Sequence, residues 1–170
     1  MRILVTNDDG IDSTGLHILA RSLTPLGEVI VGAPDTEYSG ASSSFGSLHL
    51  IRPEMQKAYI DGIEESWAIN GPPALCVMFA QLGALGPPFD LVVSGINPGA
   101  NVGRSVYHSG TIGAALTARN GGVTGIAVSQ AIDEGGYLGQ GLELILKNQK
   151  WHSAADAAAI AAACLIENPL

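Results

Sequence analysis

The 170-residue sequence contains few cysteines, few basic residues and no long apolar run. Cys76 and Cys164 both lie in apolar surroundings, so we expect two buried thiols and no zinc site. Eight Lys and Arg against sixteen Asp and Glu give a net charge of −8, which argues against nucleic acid or an anionic membrane surface as a partner. Without an apolar run of membrane-spanning length or a signal-peptide pattern, the sequence predicts a soluble, cytoplasmic protein.

The sequence is rich in apolar residues, at 46% hydrophobic and only 14% charged. This balance is typical of a globular protein with a sizeable core, and 170 residues is the usual length of one domain. We find no internal repeat and no domain boundary. The sequence therefore predicts a single domain over residues 1–170.

Short apolar runs alternate with helical patterns along the chain. Four core strands are predicted at 2–6, 27–34, 89–97 and 123–130, and helices at 14–26, 72–85, 111–122 and 153–170. The last helix has Ser153 as its predicted N-cap. Three shorter runs, at 47–53, 57–62 and 66–70, predict antiparallel strands with a turn at Asp61-Gly62, while the tract 131–150 is ambiguous. The alternation favours an α/β fold in which helices cover both faces of a mostly parallel sheet.

Polar side chains concentrate where the predicted core strands end. Asp8 and Asp9 follow the first strand, and the loop after the second carries Ser39 and Gly40. Asn97 ends the third strand, and Asn101 comes soon after it; the next helix begins near Ser109, Gly110 and Thr111. Because ligands of open α/β sheets bind at the carboxyl ends of the strands, we expect these side chains to meet.

Two adjacent carboxylates repel each other, and a divalent cation would offset that repulsion. Asp8 and Asp9 with hydroxyl and amide oxygens suit Mg²⁺, Mn²⁺ or Ca²⁺, and Ser39 and Asn97 would add ligands without adding charge. Open coordination positions would accept a phosphate oxygen, and the metal would orient an attacking water. The helix N-terminus near Ser109 favours an anion. Arg104 and His108, in the loop before it, are candidate phosphate contacts, and His108 is also a candidate acid.

Each of these features also has a simpler interpretation. Paired aspartates after a strand are common in turns and helix caps, serine-rich connections are ordinary loops, and Ser109 could be only an N-cap. Four motifs of other nucleotide and hydrolase sites are absent: the dinucleotide loop, the P-loop, the D-x-D pair of haloacid dehalogenase-type phosphatases and the G-x-S-x-G elbow. The convergence of the polar residues on successive strand ends favours a real site.

Three segments together resemble the SurE family, the survival-protein nucleotidases. They are NDDGI at 7–11, APDTEYSGAS at 33–42, and SGINPGANVG with VYHSGTIGAA between 94 and 115. The segments occur in the family's order and spacing, across roughly residues 1–130. The resemblance implies a Rossmann-like three-layer α/β sandwich. It also implies a divalent-metal-dependent phosphomonoesterase that acts on nucleoside 5′- and 3′-monophosphates as a homodimer or homotetramer.

Carried onto this chain, the resemblance implies a metal bound by Asp8, Asp9, Ser39 and Asn97. Phosphate would be contacted by Gly40, Asn101, Ser109, Gly110 and Thr111. The metal would be Mg²⁺ or Mn²⁺, with Ca²⁺ as a further candidate. A metal-positioned water would attack phosphorus, and Asp8 or Asp9 would orient or deprotonate that water.

The sequence departs from the family in two places. Where the family reads G-T-P-x-D-C-V, this chain has Pro72 in place of the threonine and Leu75 in place of the aspartate. The family also continues well past the length of this chain, into a C-terminal portion used in oligomerisation. An alternative function is therefore a shortened, non-catalytic binding or assembly module. A nucleotide-using enzyme of glycosyltransferase or dehydrogenase type is a weaker alternative, because no dinucleotide motif is present.

Overall fold

The chain folds around one six-stranded sheet in a computed structural model that describes residues 1–48, 50, 52–131, 146, 147 and 149–167. The strands are β1 Arg2–Thr6, β2 Glu28–Pro34, β3 Met55–Lys57, β4 Glu65–Ile69, β5 Leu91–Asn97 and β6 Thr124–Ser129. The α-helices are α1 Thr14–Leu23, α2 Pro73–Gln81, α3 Gly110–Asn120 and α4 Trp151–Glu167. Short 3₁₀ segments occupy Thr24–Leu26 and Gly103–Tyr107.

The strand order is β3-β4-β2-β1-β5-β6, and every neighbouring pair is parallel except β3 with β4. Strands β2, β3 and β4 lie on one side of β1, and the later strands β5 and β6 lie on its other side. The strand order therefore reverses between β1 and β5. The carboxyl ends of these two strands flank a crevice of the kind in which α/β proteins bind ligands.

Successive strand residues point to opposite faces of the sheet. Because the core strands are apolar throughout, both faces carry apolar side chains, and helices cover both. In β1, Ile3 and Val5 pack with α1 and α4, whereas Leu4 packs with α2 and α3. The two apolar clusters give the helix–sheet–helix layers that the sequence predicts, so the three-layer α/β fold is confirmed. None of the helices within the described residues is both long and apolar enough to cross a lipid bilayer.

Several local predictions are confirmed. The Asp61-Gly62 turn closes a bridge between Ile60 and Ile63. Helix α2 begins at Pro73, as expected for proline in a first helical turn. Antiparallel pairing of the segment 66–70 is confirmed, but its partner β3 spans Met55–Lys57, so only Lys57 of the predicted strand 57–62 lies in β3. Strand β4 also pairs parallel with β2 and so lies inside the sheet. A short polar-apolar pattern does not reveal which strands will be its neighbours.

Other predictions are wrong. The described residues of 47–53 form turns and irregular backbone, not a strand, and His49 and Ile51 lie outside the described residues. Helix α4 begins at Trp151, so Ser153 lies inside the helix and is not its N-cap. Cys76 is buried as expected, but Cys164 is exposed. Residues 132–145 and 148 of the ambiguous tract, and 168–170 of the last predicted helix, are outside the described residues.

Candidate metal and phosphate site

The turn that follows β1 brings two carboxylates to the crevice at the carboxyl edge of the sheet. The buried side-chain amide of Asn7 closes this turn by donating to the Gly10 carbonyl over 3.0 Å. Gly10 has φ +99°, a conformation that residues with a side chain rarely adopt. The turn therefore ends β1 abruptly and leaves Asp8 and Asp9 beside the ends of β2 and β5.

Asp8 is joined to the first turn of α3. Its side chain is only 3% exposed, and its Oδ1 accepts a 2.6 Å hydrogen bond from Thr111 Oγ1. A Cβ on Gly110 would lie 2.9 Å from Asp8 Oδ2, so glycine allows this close approach. Ser109 caps the helix by accepting from the Ile112 N–H at 3.1 Å. The N-cap interpretation of Ser109 is thus confirmed, and it places the helix N-terminus next to a candidate metal ligand.

Asp9 is mostly buried, and its Oδ2 has no hydrogen-bond partner among the described residues. Burial, then the negative charge of Asp8, then that of Glu37 raise the pKa of Asp9 to about 7. A buried carboxylate oxygen without a partner costs free energy, and a cation is the partner that would remove that cost. The turn thus holds the carboxylate of Asp9 in surroundings that disfavour its negative charge unless a cation binds.

The loop after β2 is hydrogen-bonded both to the β1 turn and to the segment just before α3. The Tyr38 N–H donates to the Asp8 carbonyl at 2.8 Å, and the Ser42 N–H donates to the His108 carbonyl at 3.2 Å. Between these anchors lies Ser39, whose Oγ donates to Glu37 Oε1 at 2.8 Å. Glu37 is not among the site residues predicted from the sequence, although it lies inside the segment 33–42 that also contains Ser39.

A cleft of about 510 Å³ is lined by three of the four predicted metal ligands, each from a different strand end, while Asp8 is not among the lining residues described. Its lining includes Asp9 after β1, Ser39 after β2 and Asn97 at the end of β5. The Asn97 side-chain nitrogen donates to the Gly99 carbonyl at 2.7 Å, which orients the amide. The remaining lining residues described are Asp12, Ser13, Thr14, Gly15, Glu37, Pro98, Leu146 and Trp151. The cleft therefore has acidic and hydroxyl groups near the strand ends and an apolar wall of Pro98, Leu146 and Trp151.

The other predicted residues are less closely associated with this cleft. Asn101 donates to Ser129 Oγ at 2.9 Å, at the end of β6, and Gly40 has φ +84° with open space around it. Arg104 and His108 are exposed in and after the 3₁₀ segment before α3, and neither is among the described cleft residues. Leu75, where the family has an aspartate, is buried in the core and does not line the cleft.

The donor set fits a hard divalent cation. Carboxylate, hydroxyl and amide oxygens are the ligands that Mg²⁺, Mn²⁺ and Ca²⁺ prefer, and the buried Oδ2 of Asp9 needs a partner. Two carboxylates match the charge of one divalent ion, while Ser39 and Asn97 would add neutral oxygens. The first turn of α3 adds backbone N–H groups that have no partner inside the helix and attract anions.

The chain as a whole is similar to proteins of a known family. A family model described as Survival protein SurE matches residues 3–169. A curated 5′-nucleotidase SurE from Acinetobacter baumannii (strain ATCC 17978) is 47% identical over 131 residues, covering 77% of this chain and 49% of that protein. The 5′-nucleotidase SurE of Methanopyrus kandleri is 46% identical over 132 residues, covering 78% of this chain and 49% of the relative. The chain thus spans about half the length of the curated relatives it matches.

A solved structure agrees with this match. The crystal structure of SurE protein from Aquifex aeolicus superposes with a TM-score of 0.79 at 29% sequence identity. The match covers 100% of this chain and 62% of that one. The family resemblance and the fold predicted from it are both confirmed.

Proposed function

The chain belongs to the SurE family of survival proteins, and from this premise we propose that it hydrolyses nucleoside 5′- and 3′-monophosphates to nucleoside and phosphate. The observation that carries the proposal is the pairing of Asp8 with Thr111, which sets a carboxylate pair against a helix N-terminus. Such an edge can attract a cation and an anion side by side. A metal-bound phosphomonoester contains both charges.

Asp8, Asp9, Ser39 and Asn97 would hold the divalent cation, either Mg²⁺ or Mn²⁺, with Ca²⁺ as a further candidate. The resemblance to the family implies dependence on a divalent metal. When bound, the cation would supply Lewis acidity toward a phosphate oxygen and orient a water for attack on phosphorus. Phosphate binding, proton transfer and nucleoside binding would come from the side chains and backbone of the chain itself.

The first turn of α3 would bind the phosphate. Backbone N–H groups at Gly110 and Thr111 belong to the unpaired first turn of a helix, where the helix dipole also favours negative charge. Ser109, Asn101 and Gly40 would complete the phosphate contacts. Because Thr111 also holds Asp8, the phosphate position and the metal position are fixed by the same helical turn.

Of the two aspartates, Asp9 is better suited to take the proton of the attacking water. Asp8 Oδ1 already accepts a hydrogen bond from Thr111, whereas Asp9 Oδ2 has no partner among the described residues. We therefore assign the role of orienting or deprotonating that water to Asp9 rather than to Asp8.

The cleft of about 510 Å³ would receive the nucleoside, because its lining combines Asp9 and Asn97 with apolar side chains. Its volume lies within the range of small-ligand sites. The wall of Pro98, Leu146 and Trp151 would pack against a base or ribose, while Asp12 would accept hydrogen bonds from its polar groups. Since Asp12 and Glu37 are acidic, a neutral leaving group would be preferred over a phosphorylated one.

The proposal also includes a single domain over 1–170 and a cytoplasmic homodimer or homotetramer that works without nucleic acid or membrane. The family resemblance supports the oligomer, and the net charge of −8 disfavours both polyanionic partners. Light scattering of the purified chain would measure the oligomeric state.

The direct test of the site replaces Asp8 by Asn and measures phosphate release from AMP and GMP with Mg²⁺ or Mn²⁺. Asn keeps an oxygen that can accept from Thr111 but removes a ligand charge, so we expect activity to fall by at least about 100-fold with the fold retained. The matched control is Asp61→Asn, an exposed residue in the turn beside β4, which should leave activity unchanged. Near-normal turnover by Asp8→Asn would contradict the assignment. Metal binding without phosphate release by the unmodified chain would favour the non-catalytic module.

A further inference from the structure

Glu37 lies two residues before the candidate ligand Ser39 and makes two interactions that the proposed reaction does not explain. Its Oε1 accepts the 2.8 Å hydrogen bond from Ser39 Oγ. Its charge also acts on Asp9, whose pKa it helps to raise. A carboxylate repels phosphate, so a role in holding the phosphate is excluded by its charge. Its partners are instead two of the predicted metal ligands.

Glu37 is not placed as a third carboxylate ligand. Within the described part of the chain, no three His, Cys, Asp or Glu side chains are grouped so that they could hold a metal ion. Glu37 is exposed at the cleft rim, and its direct contact is with a hydroxyl. It therefore shares the cleft with Asp9 and Asn97 and acts on the predicted ligand Ser39 through that hydroxyl.

We propose that Glu37 is a positioning residue for the metal: its carboxylate takes the hydroxyl hydrogen of Ser39, so that the lone pairs of Ser39 Oγ are left for the cation. This inference rests on the metal site of the proposed function. A serine hydroxyl has one hydrogen and two lone pairs, and the hydrogen rotates freely unless an acceptor fixes it. If it pointed into the site, it would repel a cation.

The proposal has two separable physical parts. The hydrogen bond orients the hydroxyl and makes its oxygen more electron-rich, as outer carboxylates do for ligands of bound metals. The charge of Glu37 adds a longer-range attraction for the cation that solvent screens, because the side chain is exposed. Glutamine keeps an oxygen acceptor and removes the charge, whereas alanine removes both. The two substitutions therefore distinguish orientation from charge.

The test titrates Mn²⁺ alone into the metal-stripped full chain and follows free Mn²⁺ by electron paramagnetic resonance. Four proteins are compared: the unmodified chain, Glu37→Gln, Glu37→Ala and Glu64→Gln. Glu64 is an exposed carboxylate in a different cleft, at the amino ends of β2 and β4, so it controls for net charge. The Glu37 variants are then repeated in a Ser39→Ala background, with circular dichroism confirming the fold of each.

We expect Glu64→Gln to leave the Mn²⁺ dissociation constant unchanged. Glu37→Gln should weaken binding by about threefold through the screened loss of charge, and Glu37→Ala by about tenfold or more through the loss of the bond as well. In the Ser39→Ala background, Glu37→Gln and Glu37→Ala should have equal affinities, because there is no hydroxyl left to orient.

Equal affinities of Glu37→Gln and Glu37→Ala in the presence of Ser39 would overturn the inference. So would the absence of any Mn²⁺ binding by the unmodified chain. Because the readout uses no nucleotide, its outcome is separate from that of the proposed function. If the chain hydrolyses AMP but Glu37→Gln and Glu37→Ala bind Mn²⁺ equally, only the positioning role of Glu37 is refuted. If the two variants differ in Mn²⁺ affinity as expected but the chain does not hydrolyse AMP, only the nucleotidase function is refuted.

Discussion

Replacing Asp9 by Asn is expected to stabilise the metal-free protein at pH 8, although it removes a predicted metal ligand. The folded protein raises the pKa of Asp9 from 3.8 to about 7, first through burial and then through the charges of Asp8 and Glu37. The ionised carboxylate is therefore less stable in the folded chain than in the unfolded chain. Asn has a similar shape and no charge, so the substitution removes that penalty.

The sign and size of the effect follow from the pKa. Because the folded pKa lies above the unfolded value, the stability contributed by Asp9 is fully present below pH 3.8 and is lost as the pH rises toward 7. The rise from 3.8 to about 7, at about 1.4 kcal/mol per pH unit, sets an upper limit of about 4 kcal/mol. Partial exposure of Asp9 to solvent reduces this to about 2 kcal/mol.

The assay is urea unfolding in EDTA at pH 4 and pH 8, followed by circular dichroism. Asp9→Asn should have a free energy of unfolding close to that of the unmodified chain at pH 4 and about 2 kcal/mol higher at pH 8. Excess Mn²⁺ should reverse the order at pH 8, because at 100 times its dissociation constant a ligand adds about 2.7 kcal/mol to the unmodified chain. The same stability difference at both pH values, or a less stable variant at pH 8, would refute the reasoning.

Two further predictions concern buried side chains. Thr111→Val removes the 2.6 Å hydrogen bond to buried Asp8 and should cost about 2 kcal/mol of stability and weaken Mn²⁺ binding. Its matched control is Thr117→Val, which loses a 2.7 Å hydrogen bond to the Gly113 carbonyl in the same helix. This control should leave the Mn²⁺ affinity unchanged. Equal Mn²⁺ affinities of the two variants would contradict the role of Thr111. Burial raises the pKa of the Cys76 thiol. Iodoacetamide should therefore modify Cys76 only after the protein unfolds. Rapid modification of Cys76 in the native protein would contradict its burial.

The core strands and the outline of the site could be predicted because both follow from local patterns. The apolar runs that become β1, β2 and β5 are buried on both faces, as parallel strands between helix layers require, whereas β6 at the edge of the sheet is only partly buried. Once a parallel sheet is expected, polar residues at its strand ends must share one edge. Asp9, Ser39 and Asn97 do line one cleft, although 88 residues of chain separate the first from the last.

The errors come from contacts between segments distant in sequence. The alanine-rich pattern of α4 does not show which side is buried, and the buried face turns out to be Trp151, Ala155, Ala158 and Ala162. Cys164 follows Ala162 by two residues, which turns it away from the buried face, and it is exposed. The helix begins before Ser153 because Trp151 packs beside Gly15 of α1, where a Cβ would lie 2.8 Å from the indole ring.

Glu37 was missed for a related reason. A glutamate in a polar loop is ordinary, and no spacing rule connects it to the aspartates after β1. Its importance becomes visible only when the folded loop brings it to Ser39 and within electrostatic range of Asp9.

The most direct test of the central claim is phosphate release from AMP by the metal-stripped chain, before and after Mg²⁺ or Mn²⁺ is added. The account predicts no release without metal, release after metal is added, and loss of that release with EDTA. Release that is unaffected by EDTA would contradict a metal-dependent site at Asp8 and Asp9. A folded chain that binds Mn²⁺ and releases no phosphate under either metal would contradict the nucleotidase.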